Sequence, residues 1–146
     1  MSWRSKYAFG GIVFNQNQQV LMRSPSGHWG GYVWTFAKGG AELSDSSPEE
    51  TATREVLEET GYKCSIIAAI PGEYESDTCV TKYFLMSPEG WSAKYDEETQ
   101  EIKWVGVEQA FEMIEMTSTP KGRQRDTDAL ISAIHTMRAL IIENRF

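Results

Sequence analysis

The chain has 146 residues and a formal net charge of −7, from 21 acidic and 14 basic side chains, with 40% hydrophobic and 24% charged residues. That length suits one domain with a sizeable core, and the composition argues against a disordered chain. The acidity argues against a nonspecific nucleic-acid coat or a binder of anionic membranes, yet it is a mosaic: residues 41–62 carry −6, residues 73–115 carry −8, and the remainder carries +7.

In chain order, Tyr7–Phe14 is an apolar run and Gln19–Arg23 alternates, with Asn15-Gln16-Asn17-Gln18 as a turn between them, which predicts a hairpin. Pro25–Gly31 reads as loop and Tyr32–Phe36 as a short aromatic strand. Lys38-Gly39-Gly40 then opens a loop running to Ser47. Ser47 as N-cap, Pro48 at the first helical position and Glu50 three residues after the cap make a capping box, and Gly61 supplies the stop. A helix over Pro48–Thr60 follows. Strands are predicted at Cys64–Ile70, Thr78–Met86 and Glu101–Val105, and a helix at Val107–Met116. A last helix over Thr127–Ile142 has Leu130, Ile131, Ile134, Met137, Leu140 and Ile141 on one face. Strands with a few interspersed helices and no regular alternation predict an α+β fold with a mixed sheet, in a single domain over residues 1–146.

No stretch approaches the roughly 20 apolar residues of a membrane span. The N-terminal apolar run is interrupted by Gly10 and Gly11 and reads as a strand, not a signal peptide. Two cysteines, Cys64 and Cys79, without CxxC spacing indicate neither a zinc site nor a disulfide framework, which favours a reducing, cytoplasmic setting.

The chemistry concentrates on the Pro48–Thr60 helix. Glu55, Glu58 and Glu59 stand at i, i+3 and i+4 and share one face, with Thr53, Val56, Leu57 and Thr60 roughly opposite and expected to pack on the sheet. Two carboxylates about 6 Å apart repel by roughly 0.7 kcal/mol in water and by about 3 kcal/mol at an effective dielectric of about 20. A solvated acidic face tolerates the first; a partly buried cluster needs a cation. Oxygen donors of this kind suit Mg²⁺ or Mn²⁺ and not zinc.

The stretch GAELSDSSPEETATREVLEETGY, Gly40 to Tyr62, resembles the Nudix box G-x5-E-x7-R-E-U-x-E-E-x-G-U, where U is bulky and apolar. Gly40, Arg54, Glu55, Val56, Glu58, Glu59, Gly61 and Tyr62 match in register. Trp34-Thr35-Phe36-Ala37-Lys38-Gly39-Gly40 is similar to the W-x-F-P-K-G-G approach common in that family. One position departs: Ser46 stands where the family has its first glutamate, a residue that mainly supports the arginine and the loop. Glu42 and Asp45 are the nearby acids that could substitute.

The resemblance implies a Nudix-like α/β/α sandwich and metal-dependent hydrolysis of a nucleoside diphosphate linked to another moiety. Carried over position by position, Glu55 and Glu59 are implied as principal metal ligands, Glu58 as a further ligand or a water-positioning base, and the carbonyl of Gly39 or Gly40 as another donor. Arg54 is implied to orient Glu55, with a plain i,i+4 pair to Glu58 as the alternative. Dinucleoside polyphosphate hydrolases place a glutamate six residues before a tryptophan that corresponds to Trp104, which points to Glu98 as general base; Glu97 and Glu101 compete. Lys38 and Lys82 resemble phosphate-contacting lysines of that group, and Gly40 belongs to the substrate loop. Lys121, Arg123 and Arg125 lie in TPKGRQRD, a basic loop before the last helix that could close over phosphates, with Arg123 taken as its contact. The implied partner is a small nucleotide or polyphosphate, with no DNA and no membrane, acting on a monomer or homodimer. The competing reading is a degenerate nucleotide-binding sensor, favoured by Ser46 and opposed by the three intact glutamates.

Overall fold

Two sheets divide the strands, and one helix is wedged against both. The computed structural model describes residues 2–146. After a single helical turn, α1 (Trp3–Lys6), the chain enters β1 (Ala8–Val13), which is buried along its whole length, as a strand covered on both faces must be. β1 pairs antiparallel with β3 (Ala37–Gly40) and parallel with β6 (Val80–Trp91). β6 also pairs antiparallel with β4 (Tyr62–Ala69) and with the short β5 (Tyr74–Glu75). The order β3-β1-β6-β4 is therefore a mixed sheet, as expected. A second sheet joins β2 (Val20–Pro25) to β7 (Thr99–Val105), antiparallel.

On one face of the larger sheet lies α2 (Pro48–Thr60). Its Ala52 and Val56 pack on Phe9, Val13, Phe84 and Met86, with Leu21, Ile102 and Trp104 of the second sheet closing the same cluster. On the other face, α3 (Val107–Ile114) and α4 (Pro120–Ile142) cover Ile12, Phe36, Tyr83 and Leu85. The result is an α/β/α sandwich, the expected class. None of the helices is long and apolar enough to cross a membrane, among the described residues.

Several local expectations change. β1 and β2 do not form a hairpin ladder: one bridge, Phe14 to Val20, survives before the strands part into different sheets. Pairing of both β1 edges, with β3 and β6, wins over the local turn signal. The aromatic strand predicted at Tyr32–Phe36 falls later, because Lys38, Gly39 and Gly40 pair with Gly10, Phe9 and Ala8 and are strand, not loop. α2 has the predicted span, and Ser47 Oγ accepts the Glu50 amide at 3.1 Å, but the Glu50 carboxylate turns to Ser46 and not to the cap residue. Leu57, expected to pack on the sheet, is 40% exposed, while Glu59 on the acidic face is buried. α4 starts seven residues earlier than Thr127, capped by Thr119 with Pro120 in the first turn, so TPKGRQRD is helix and not loop. Ile131 and Ile141 lie outside its buried stripe.

The seat of α2 depends on Gly11. A Cβ there would lie 2.6 Å from Met86 Sδ and 2.7 Å from Val56 Cγ2, so the bare backbone lets the helix approach the sheet. Gly11→Ala is expected to destabilise the fold by about 1–3 kcal/mol, the range for overpacking a close-packed core, read as a lower urea midpoint. An unshifted midpoint would contradict this packing.

Candidate active site

The position of α2 brings its acidic face to the C-terminal strand residues of β3. Glu59 is 4% exposed, and its Oε1 lies 3.3 Å from Arg23 Nε and accepts the Lys38 amide at 3.3 Å. Glu55 sits beside Glu59 and against the backbone of Gly39, where any side chain would collide with its carboxylate. Burial raises both acids: Glu59 is pushed up to about 8, with Arg23 opposing, and Glu55 up to about 7, with Arg54 opposing. Two adjacent buried carboxylates that resist ionisation are a cation site in waiting. Their donors are all oxygen, with the Gly39 backbone alongside, which fits Mg²⁺ or Mn²⁺. Among the described residues no three acidic, histidine or cysteine side chains already converge as a cage. Glu55 and Glu58 are both engaged by Arg54.

Arg54 is the hub. Its Nη1 donates to Glu55 at 3.1 Å and to Glu58 at 3.2 Å, and its Nη2 donates to the Gly40 carbonyl at 3.0 Å and to Asp45 Oδ2 at 2.7 Å. Both sequence-level alternatives for Arg54 are thus present at once, the Glu55 contact and the i,i+4 pair with Glu58. The hydrogen bonds from Arg54 hold the Asp45 carboxyl well below the usual carboxylate range.

A cavity of about 400 Å³ opens beside Glu59, lined by Arg23, Trp29, Tyr32, Phe36, Lys38 and Glu98 among others. Lys38 and Glu98 are therefore at the site. Glu98 is exposed at its edge, and its carbonyl accepts from Arg23 Nη2 and from the Ser26 amide, both at 2.8 Å. Glu97 and Glu101 are not among the lining residues.

Two expected contacts are not brought together with the rest. Lys82 on β6 does not line the cavity; its Nζ stands 4.4 Å from the Tyr7 ring. Arg123 turns back on its own helix start, donating to the Thr117 carbonyl at 2.7 Å. The basic residue that reaches the cavity is Arg125. It lies 4.6 Å from the Tyr32 ring, and donates to Asp126 at 3.0 Å and to Thr35 at 3.2 Å. Because TPKGRQRD is helical, alternate positions point to different sides, which a loop reading does not anticipate.

Arg23 and Asp126 were not anticipated, whereas Asp45 was, as one of two acids that could stand in for the absent box glutamate. Arg23 had a signal: it is the one charge in the strand VLMRSP, all of whose residues are buried. A lone charge in a buried strand needs a partner. Asp45 is turned inward between exposed Ser44 and Ser46, which spacing alone does not show.

Comparison with known proteins agrees with this geometry. The family model described as NUDIX domain matches residues 4–126. A protein of Bacillus subtilis named putative 8-oxo-dGTP diphosphatase is 36% identical over 97 residues, covering 64% of this chain and 62% of that relative, less than two thirds of its length. A NUDIX hydrolase from Nitrosomonas europaea superposes with a TM-score of 0.67 at 18% identity, over 90% of this chain and 88% of the other. A C. elegans Ap4A hydrolase superposes with a TM-score of 0.66 at 18% identity, over 90% and 98%. At such identity these two structures speak for the fold, and the family match spans most of the chain, from α1 to the buried Asp126. Together with the box residues in register on β3 and α2, this places the chain in the NUDIX domain family.

Proposed function

We propose that this chain is a divalent-metal-dependent pyrophosphohydrolase that cleaves a nucleoside diphosphate linked to another moiety, with a nucleoside triphosphate or a dinucleoside polyphosphate as substrate. The observation that carries the reading is the buried Glu59, with the half-buried Glu55 beside it, lining a cavity that also holds Arg23 and Lys38. The names of the Bacillus relative and of the nematode structural neighbour support these two substrate classes.

In this reading Glu55, Glu59 and Glu58, with the Gly39 carbonyl, would hold Mg²⁺ or Mn²⁺. The bound ions would neutralise phosphoryl charge and acidify the attacking water. The protein's own groups do the rest. Lys38 binds a phosphate oxygen as a point charge. Gly40 lends its carbonyl to the Arg54 guanidinium and so fixes the turn beside the phosphates. Arg23, held by the Thr99 hydroxyl and the Glu98 carbonyl, sets a fixed positive charge beside Glu59 and the phosphates. Glu98, at the cavity edge on a loop held by Arg23 and Ser26, takes the proton from water. Trp29 and Tyr32 give the cavity flat apolar walls suited to a base. The chain works in a reducing cytoplasm, on a small anionic substrate and not on DNA.

Three measurements test this. With Mg²⁺, hydrolysis of a nucleotide panel including diadenosine tetraphosphate should be lost in EDTA. Glu59→Gln should lose turnover while folding is kept, since glutamine mimics the protonated acid that the metal-free fold already favours. Activity surviving both changes would defeat the mechanism. Glu98→Gln should lower kcat by at least roughly 10²-fold, the scale of a lost general base; a rate near wild type removes Glu98 from that role.

The third measurement is pH dependence without metal. In the unfolded chain Glu55 and Glu59 ionise near 4.5, whereas in the fold they keep their protons up to about 7 and about 8. Between those values the native state binds more protons than the unfolded one. Stability therefore falls as pH rises from about 5 to 8. The metal-free melting temperature should drop over that interval, and Mn²⁺ should remove the drop because it binds the ionised pair. A flat profile would show that the pair ionises normally.

A further inference from the structure

Ser46 occupies the box position that carries glutamate in the family, yet Arg54 is not left without an acid. Asp45, one residue earlier, is 2% exposed and turned inward. Its carboxylate faces Arg54 through both Nε, at 3.0 Å, and Nη2, at 2.7 Å. It also accepts the Glu42 amide and the Thr51 hydroxyl, each at 2.9 Å. Four donors on one buried carboxylate leave it little freedom. Ser46 is exposed, and its amide and hydroxyl donate to the Glu50 carboxylate and not to the Arg54 cluster.

The far side of Arg54 explains what this arrangement is for. Nη1 reaches Glu55 and Glu58, and Nη2 reaches the Gly40 carbonyl. A guanidinium is planar, so fixing its Nε–Nη2 edge on Asp45 fixes the direction of Nη1. Without Asp45 the cation would settle among Glu42, Glu55 and Glu58, all within 3.5 Å, and would compete with a metal for the same oxygens. Asp45 draws charge to the rear of the cluster and leaves the front for an ion.

We propose that Asp45 is the positioning residue of the metal site, having taken over from the displaced box position by a one-residue shift, and that it acts through Arg54 on Glu55, Glu58 and the Gly40 carbonyl. The inference rests on the metal-site reading above. It assigns Asp45 no contact with substrate or metal.

The test uses the full chain, freed of metal, with Mn²⁺ as the probe. Calorimetric titration reads affinity, a melting curve confirms folding, and steady-state kinetics separates kcat from KM. Asp45→Asn keeps shape and an acceptor but removes the charge. Thr51→Val removes one anchor of the same loop and leaves the Asp45 charge in place. Asp45→Asn should bind Mn²⁺ at least about tenfold more weakly and lose kcat with KM little changed, the scale seen for residues behind metal ligands. Thr51→Val should lower the melting temperature with Mn²⁺ affinity near wild type. The proposal is overturned if Asp45→Asn binds Mn²⁺ like wild type. Equal weakening by the two variants, or an Asp45→Asn chain that does not fold, also overturns it, since Asp45 would then serve only to hold the loop. If wild type itself takes up no Mn²⁺, it is the metal-site reading that fails.

Discussion

The structure depends on putting like charges where water is scarce. α2 presents Glu55, Glu58 and Glu59 on one face, and its seat between two sheets buries the third of these almost completely. Bare carboxylates in such a place would repel each other and lose hydration. The fold answers with two arginines from opposite directions. Arg54 comes from the helix itself, steadied by Asp45. Arg23 comes from β2 and meets Glu59 from the second sheet. Neither arginine can be understood from its own element; each is placed by the acid it neutralises.

That arrangement sets the order of dependence in the rest of the molecule. Arg23 reaches Glu59 only because β2 leaves β1 after one bridge and pairs with β7, and β7 in turn supplies Thr99, whose hydroxyl accepts from Arg23 Nε at 2.9 Å. The loop bearing Glu98 is tied to the same arginine through its backbone. At the other end, α4 begins early enough to place Arg125 and Asp126 under Thr35 and Tyr32, bracing the cavity wall. Three of the side chains that line the cavity, Arg23, Thr35 and Arg125, are thus held by buried hydrogen bonds.

Much of this was legible in the sequence, and the exceptions share a cause. The span of α2, its cap and its stop were written in Ser47, Pro48 and Gly61, because helix ends are settled by a few neighbouring residues. The carboxylate cluster was legible because helical spacing is fixed. What could not be read was anything set by pairing far along the chain. The expected hairpin failed since β1 is claimed on both edges by β3 and β6. Lys38-Gly39-Gly40 read as loop from its glycines, though pairing with β1 makes it strand. Lys82 and Arg123 carry the right charge at places that face elsewhere. Arg125, two residues on, faces the cavity, a difference that only the helix register decides. Asp45 and Ser46 exchange roles through a single inward turn of the loop.

The Arg23 contacts also bear on when the site comes into being during folding. Arg23 and Thr99 are separated by 76 residues, and β1 finds β6 across a similar stretch. Pairing over such separations costs loop-closure entropy before it is rewarded, and it slows folding. As the chain is synthesised, α2 can form early from local signals, but its acids lack the second arginine's fixed position until β7 has emerged. Until then the cluster is an open, hydrated set of charges. The chain thus completes its most demanding electrostatic feature only when nearly all of its sheet is present.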